Sequence, residues 1–374
     1  MASAKAPRNE ASPVLPAEEG AQARVRRRVR PAAAKPTINA VAERAQVAIS
    51  TVSRVLNGGA ASEAMRERVE RAIRELGYSP SVAAQSLVSR RTGCLGLAVN
   101  STEGPWFSQV ISGVEEAIAP SRYSLLLASM RLHNSYDPGA VAAWIQERRV
   151  DGLIFVRYSE RQRAIFSAAT RAGLPVVLIA PDADTHADYI ARSDNVEAGW
   201  LVAEHLAKLG HRKIAFAGGP ESSHDTQCRL RGLQQGLSEF GVDQGAREIW
   251  FGPSYYSDSG AAFAERFLQI PEGDRPTAVV LGSDLMALGF LGAMMRHSIH
   301  VPRDVSVVGF DGIPEGALLW PRLTTVVQST RAMAASTCRA LLDRLQNPAQ
   351  TQLAVEQFPV ELLARDSTAA PPRP

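Results

Sequence analysis

Between Ile38 and Val55 the apolar positions fit two short helices joined by a tight turn. Val41, Ala45, Val47, Val52 and Val55 share the buried spacing, and small Ala42 sits where two helices must cross closely. After the Gly58-Gly59 break, Met65, Val69, Ile73 and Leu76 form a third stripe at helical spacing. It predicts a helix from about Ser62 to Leu76, ended by Gly77, whose stripe closes over the first pair. From Gly93 the pattern changes to short apolar runs separated by amphipathic helices such as Phe107–Ala119. Candidate strands are Leu95–Val99, Ser124–Ala128, Gly152–Val156 and Pro175–Ile179, then a second series at Lys213–Ala217, Ala278–Leu281 and Val305–Gly309. Buried strands alternating with helices imply parallel sheets. Two series imply two α/β lobes, and ligands bind outside the carboxyl ends of such strands, so facing lobes enclose one cleft.

The apolar spacing alone permits any helical hairpin. Chemistry narrows it: Ser50, Thr51, Ser53 and Arg54 crowd the exposed face of the second helix, and short hydroxyls with a forked guanidinium suit phosphates and base edges. Charge agrees. Residues 1–35 carry +5 and residues 36–92 carry +3, which leaves −5 on the remainder of a chain whose net charge is +3. A basic front on an acidic body suits an anionic polymer at one end. Residues 1–35, rich in Ala, Pro, Arg and Glu, are expected to be a disordered polar tail; their Arg24–Arg30 run is either a phosphate-gripping arm or a solvated segment.

The chain is similar to the lactose-repressor/galactose-repressor family of bacterial transcription regulators. The resemblance rests on Ser-Thr-Val-Ser-Arg-Val-Leu-Asn (50–57), Glu-Leu-Gly-Tyr-Ser-Pro (75–80), Ser-Asp-Asn (193–195), Gly-His-Arg-Lys-Ile-Ala-Phe (210–216), Val-Gly-Phe-Asp (308–311) and Leu-Thr-Thr-Val (323–326). It implies a helix-turn-helix head (36–80), a hinge helix and linker (81–92), a two-lobed body with parallel sheets like a periplasmic binding protein (93–368) and a short disordered tail (369–374). It also implies three crossings between lobes, near 182, 314 and 325–328, and a closing strand over Phe358–Arg365. No leucine heptad follows that strand, so a coiled-coil tetramerisation element is not expected.

On this reading the DNA-contacting set is Thr37, Ile49, Ser50, Thr51, Ser53, Arg54 and Asn57, with Leu87 as the wedge that the family's hinge helix drives into the minor groove. Ser81 and Gln85 depart from the family's Asn and Arg there. The head departs too. Gln46 stands at a left-handed turn position that favours Gly, at up to ~1 kcal/mol. Ala48 replaces a capping Ser, another ~1 kcal/mol, and Ala40 leaves a capping box incomplete.

The expected effector-binding residues are Trp106, Phe107, Arg229, Tyr255, Ser283 and Asp311. Trp106 and Phe107 offer flat faces to a sugar ring or nucleobase, although Phe107 suits core packing equally. Arg229, in Arg-Leu-Arg-Gly, brings a planar fork of donors; without the resemblance it reads as a surface charge on a helix. Asp311, after the apolar run Val305–Phe310, is an acceptor for hydroxyls or a turn residue before Gly312. Ser283 replaces a family Asn, Tyr255 matches a family aromatic, and Asp194 is expected to steady its loop or to close on ligand indirectly. Cys94, Cys228 and Cys338 have no metal-ligand spacing, no apolar run approaches membrane length, and no secretory signal opens the chain. The chain also holds no Walker loop and no metal-spaced His, which argues against an enzyme. The function expected is a cytoplasmic, dimeric, cofactor-free repressor that reads a palindromic operator and is released by a sugar-type inducer. The alternatives are a purine-type corepressor or a transport-type sugar receptor.

Overall fold

In the computed structural model, residues 36–56, 59–79, 91–132, 135–182, 186–242, 248–348 and 353–372 are described. They divide into two compact units, a small helical one up to Ser81 and a large α/β one from Val82.

The first unit holds α1 (Ile38–Ala45), α2 (Ile49–Leu56) and α3 (Glu63–Leu76). Val41, Ala42, Ala45, Val52, Val55, Val69 and Ala72 form its core, so the predicted stripes of the first two helices are buried. On α3 the stripe holds for Val69, with Ile73 and Leu76 half-buried, but Met65 is exposed and Ala72 takes an inner place. Met65 lies in the first turn of α3, outside the packed cluster. Gln46 adopts the left-handed conformation, φ 53°, despite its side chain. Its neighbourhood compensates: Arg68 reaches from α3 to donate to the carbonyls of Ala45 (2.6 and 3.0 Å) and Gln46 (2.7 Å), capping the open end of α1.

The second unit is two three-layer lobes. In lobe 1 the sheet runs β13 (Ala354–Phe358), β7 (Tyr189–Ser193), β6 (Val176–Ile179), β5 (Gly152–Val156), β1 (Cys94–Val99), β2 (Ser124–Ser129), all parallel. A two-stranded hairpin, β3 (Arg131–Leu132) with β4 (Ser135–Tyr136), follows β2. Helices α4 (Pro105–Ile118) and α11 (Thr330–Gln346) cover one face of the sheet, α5 (Gly139–Gln146) and α6 (Arg163–Arg171) the other. In lobe 2 the order is β14 (Val360–Leu363), β12 (Thr324–Gln328), β11 (Ser306–Asp311), β10 (Ala278–Leu281), β8 (Ile214–Gly218), β9 (Glu248–Phe251). Only β14 is antiparallel among these described strands. Its two faces are covered by α7 (Asn195–Leu209) with α8 (His224–Glu239), and by α9 (Ser257–Gln269) with α10 (Asp284–Arg296).

The chain crosses between lobes at 193–195, 328–330 and 358–360 rather than near 182 and 314. The polar strand Tyr-Ile-Ala-Arg-Ser keeps it in lobe 1 past residue 182, and β12 keeps it in lobe 2 past 314. The expected closing strand is two strands parted at Pro359, one in each sheet. The expected tail 369–374 is anchored at its first residue, and 373–374 lie outside the described residues. Ala369 donates to Ser306 Oγ (3.1 Å), and its carbonyl lies 2.8 Å from His211 Nε2.

Candidate effector cleft and DNA-reading face

The carboxyl ends of both sheets open on one cleft of about 800 Å³, a volume that suits a small molecule. All six expected residues, Trp106, Phe107, Arg229, Tyr255, Ser283 and Asp311, line it. Trp106 and Phe107 open α4 behind Gly104 and Pro105, with rings edge-to-face at 5.1 Å; both also lean on the lobe 1 core.

Arg229 is nearly fully buried at the floor of the cleft. Its seat depends on an unusually close approach of α7 and α8: a side chain on Gly199 or Gly232 would run into the backbone of the facing helix. That approach lets Arg229 Nε donate to Asn195 Oδ1 (2.7 Å) while Nη1 donates to the Gly282 carbonyl (2.5 Å). The guanidinium lies 4.7 Å from the Phe310 ring centroid. Those bonds leave its Nη2 for a ligand.

Asp311 ends β11 with a positive φ of 119°, a conformation costly for a non-glycine residue. Its Oδ1 accepts from Gln328 Nε2 (2.7 Å), and Gln328 Oε1 accepts from Ser193 Oγ (2.7 Å). Burial pushes the Asp311 carboxyl up to about 6, against the opposing pull of Arg229 and Arg157. The loop after it is held by buried Asp284, which accepts from Ile313 N (2.8 Å) and Thr325 Oγ1 (2.6 Å); burial and the charge of Asp311 push the Asp284 carboxyl up as well. Both gripping groups therefore bond to crossing residues, Arg229 to Asn195 and Asp311 through Gln328 to Ser193.

Ser283 faces the cleft, but its hydroxyl donates to the Tyr255 carbonyl (2.7 Å) and accepts from Met286 N (3.1 Å), capping α10. It shapes the wall and has little left for a ligand. Tyr255 pairs its hydroxyl with Ser223 (2.8 Å) and Thr226 (2.6 Å), offering its ring instead. Asp194 caps α7 by accepting from Glu197 N (2.9 Å), as a loop-steadying residue should.

Arg157 and Gln328 are cleft residues that the sequence pattern did not single out. Arg157 stands directly after the wholly buried strand Gly152–Val156, the same signal that marks Asp311, and that signal could have found it. Gln328 ends β12, whose Thr-rich sequence hid the strand.

In the head, Ile49, Ser50 and Arg54 are exposed on α2, with Thr51 and Ser53 half-buried beside them. Thr37 caps α1, accepting from Ala40 N (3.3 Å). Asn57, Leu87 and the rest of the hinge segment 81–90 lie outside the described residues.

Residues 37–81 match the family of bacterial regulatory proteins, lacI family, and residues 203–368 match the periplasmic binding protein-like domain. The HTH-type transcriptional repressor PurR of Edwardsiella ictaluri is 33% identical over 90% of this chain and 98% of its own length. The chain belongs to the lacI family. It is a DNA-binding transcriptional repressor with an effector-binding body, not an enzyme. The ribose operon repressor of Haemophilus influenzae is 31% identical over 83% of this chain and 92% of its own. Among solved structures, the lac repressor dimer bound to operator and the anti-inducer ONPF has a TM-score of 0.75 at 28% identity, covering 90% of this chain and 99% of that one. Among the described residues no group of His, Cys, Asp and Glu is placed to hold a metal, and no helix is long and apolar enough to cross a membrane.

Proposed function

We propose that this repressor works in the cytoplasm as a dimer on a palindromic operator and is released when a neutral, hydroxyl-rich small molecule of the sugar type fills the cleft. The observation that carries the ligand class is the charge of the cleft floor. Arg157 already faces Asp182 and Asp225, and Arg229 offsets Asp311. Little net positive charge is left for a phosphate, whereas the second carboxylate oxygen of Asp311 and the Nη2 of the Arg229 guanidinium read hydroxyls. Trp106, Phe107 and Tyr255 supply apolar faces for the ring.

Ile49, Ser50 and Arg54 read bases on this account, while Thr51 and Ser53 add polar contacts and Thr37 sets the start of α1. The dimer reading draws on the operator-bound lac repressor dimer, and the sugar reading is supported by a solved regulator, CelR, in complex with cellobiose, 29% identical over 89% of this chain. A thermal-shift screen of the full chain against sugars, sugar phosphates and purines tests the ligand class. A ligand at 100 times its Kd stabilises by about 2.7 kcal/mol. A hit confined to neutral sugars, which then releases operator DNA, is the expected result. A hit confined to purines, which tightens operator binding, would establish a corepressor in its place.

A further inference from the structure

Arg157 lies on lobe 1, yet its guanidinium reaches across the cleft. Nη1 donates to Asp225 Oδ2 of α8 in lobe 2 at 2.5 Å, and Nη2 donates to Asp182 Oδ1 of lobe 1 at 2.8 Å. The same group stands 4.9 Å from the centroid of the lobe 2 ring Tyr255. A second inter-lobe bond runs beside it, Ser223 Oγ donating to Asp182 Oδ1 at 2.7 Å. The backbone is set for this reach. Arg157 takes a left-handed φ of 56°, its N–H donates to the Ile179 carbonyl (2.9 Å), and its own carbonyl accepts from Asn100 Nδ2 (2.9 Å). Strain held by bonds on both sides of one residue points to a function for that residue's direction.

Asp225 is almost wholly buried, while the Arg157 and Asp182 side chains are 15% and 19% exposed. The Arg157–Asp225 pair is thus shielded from solvent on the Asp225 side, and parting it would leave that buried carboxylate without its close partner. Asp225 also accepts from Asn195 Nδ2 (2.9 Å), and Asn195 accepts from Arg229. The bridge thus joins the effector-gripping arginine through a residue at the first lobe crossing.

We infer that Arg157 is a latch: its ion pair with Asp225 holds the two lobes closed without any ligand, and so sets the resting lobe angle. It is a positioning residue and need not touch the effector. Asp225 also has His224 Nδ1 at 3.9 Å on its own lobe, but Arg157 is its directly bonded cation. Separating the lobes would remove that close partner from a mostly buried carboxylate, so the latch and the lobe angle are tied energetically. The inference is independent of whether the effector is a sugar or a purine.

The test is an inter-lobe distance in the ligand-free, full-length protein, with its three native cysteines replaced. Spin labels at Arg148→Cys and Glu272→Cys, both exposed at the ends of the lobes away from the cleft, report the lobe angle by pulsed dipolar spectroscopy. Arg157→Gln, and separately the double variant Arg157→Gln/Asp225→Asn, remove the bridge; the double variant leaves no unpaired Asp225 charge, and Asn keeps the shape of Asp while Gln is shorter than Arg. Both should change the distance distribution from one narrow closed population to a broader, longer one. The ratio of closed to open should fall by about tenfold or more, the lower range for a close desolvated charge pair. Arg148→Cys/Glu272→Cys protein carrying Ser254→Ala should keep the closed population, because Ser254 lines the cleft but bonds to Asp258 and Ser259 within lobe 2 rather than to the bridge. If the double variant is folded by circular dichroism and its distances match those of the unmodified bridge, the latch does not exist. A broad open distribution in the intact protein would overturn the latch equally.

Discussion

Asp311 gives the sharpest numerical consequence of the cleft. Burial raises its carboxyl from an ordinary 3.8 to about 6. A raised carboxyl means that the folded state binds the proton more tightly than the unfolded chain does. The ionised group therefore burdens the ligand-free fold above pH 6, and the burden is lifted as pH falls through 6 toward 3.8. At about 1.4 kcal/mol per pH unit, the cost at neutral pH is roughly 3 kcal/mol. Asp311→Asn removes the charge and keeps a carbonyl to accept from Gln328. Allowing about 1 kcal/mol for a poorer hydrogen bond, the variant should be more stable than the natural protein by roughly 1–2 kcal/mol at pH 7.5. It should nevertheless lose effector binding, because an amide is a weaker acceptor for a sugar hydroxyl. Urea titration followed by tryptophan fluorescence, with fully buried Trp250 among the reporters, reads the difference directly. At pH 5 the folded carboxyl is mostly protonated but the unfolded one is not, so a burden of about 1.6 kcal/mol remains and the advantage should shrink to roughly 0.5 kcal/mol. An Asn variant that unfolds at lower urea than the natural protein at pH 7.5 would refute the reasoning, and so would a gap that widens at pH 5.

Further outcomes follow from the same geometry. Arg229→Ala should abolish the effector response while sparing operator binding, and should cost stability too, since it orphans the Asn195 and Gly282 acceptors at roughly 1–3 kcal/mol apiece; calorimetry and unfolding titrations check the two halves. Arg54→Ala should relax specificity at one base pair per half-site by about 1–3 kcal/mol, whereas equal loss on all sequences in a binding selection would make Arg54 a phosphate contact. Gln46→Gly should stabilise the head by up to ~1 kcal/mol by relieving the left-handed turn, and Arg68→Met should destabilise it by removing the cap on α1; hydrogen exchange of the α1 amides reads both.

Much of this architecture was legible because buried parallel strands read as unbroken apolar runs. Gly152–Val156 and Ala278–Leu281 are found at the residues their patterns mark. Strands with polar sequences were not legible. Tyr189–Ser193 and Thr324–Gln328 carry Arg, Ser, Thr and Gln because their ends approach the cleft and the lobe crossings, so the same feature that makes them useful hid them and displaced the predicted crossings. Residue-level chemistry was legible where one group follows an apolar strand, as at Asp311. What joins groups across distance was not: the Arg157–Asp225 pair links two lobes and residues 68 positions apart, and no local pattern encodes that meeting. The spending of the Ser283 hydroxyl on Tyr255 and Met286 was equally hidden, because it depends on where a neighbouring loop ends.

The central claim is that cleft occupancy and DNA occupancy oppose one another in one protein. Linkage demands reciprocity: a ligand that weakens DNA binding must itself be bound more weakly when DNA is present. The direct measurement is the fluorescence anisotropy of a labelled palindromic operator, obtained by in vitro selection, held by the full chain and titrated with the sugar that the thermal screen identifies. The account predicts a fall in anisotropy as the natural protein lets go, and no fall with Asp311→Asn. An unchanged anisotropy with the natural protein at saturating sugar, or release that persists in Asp311→Asn, would contradict it.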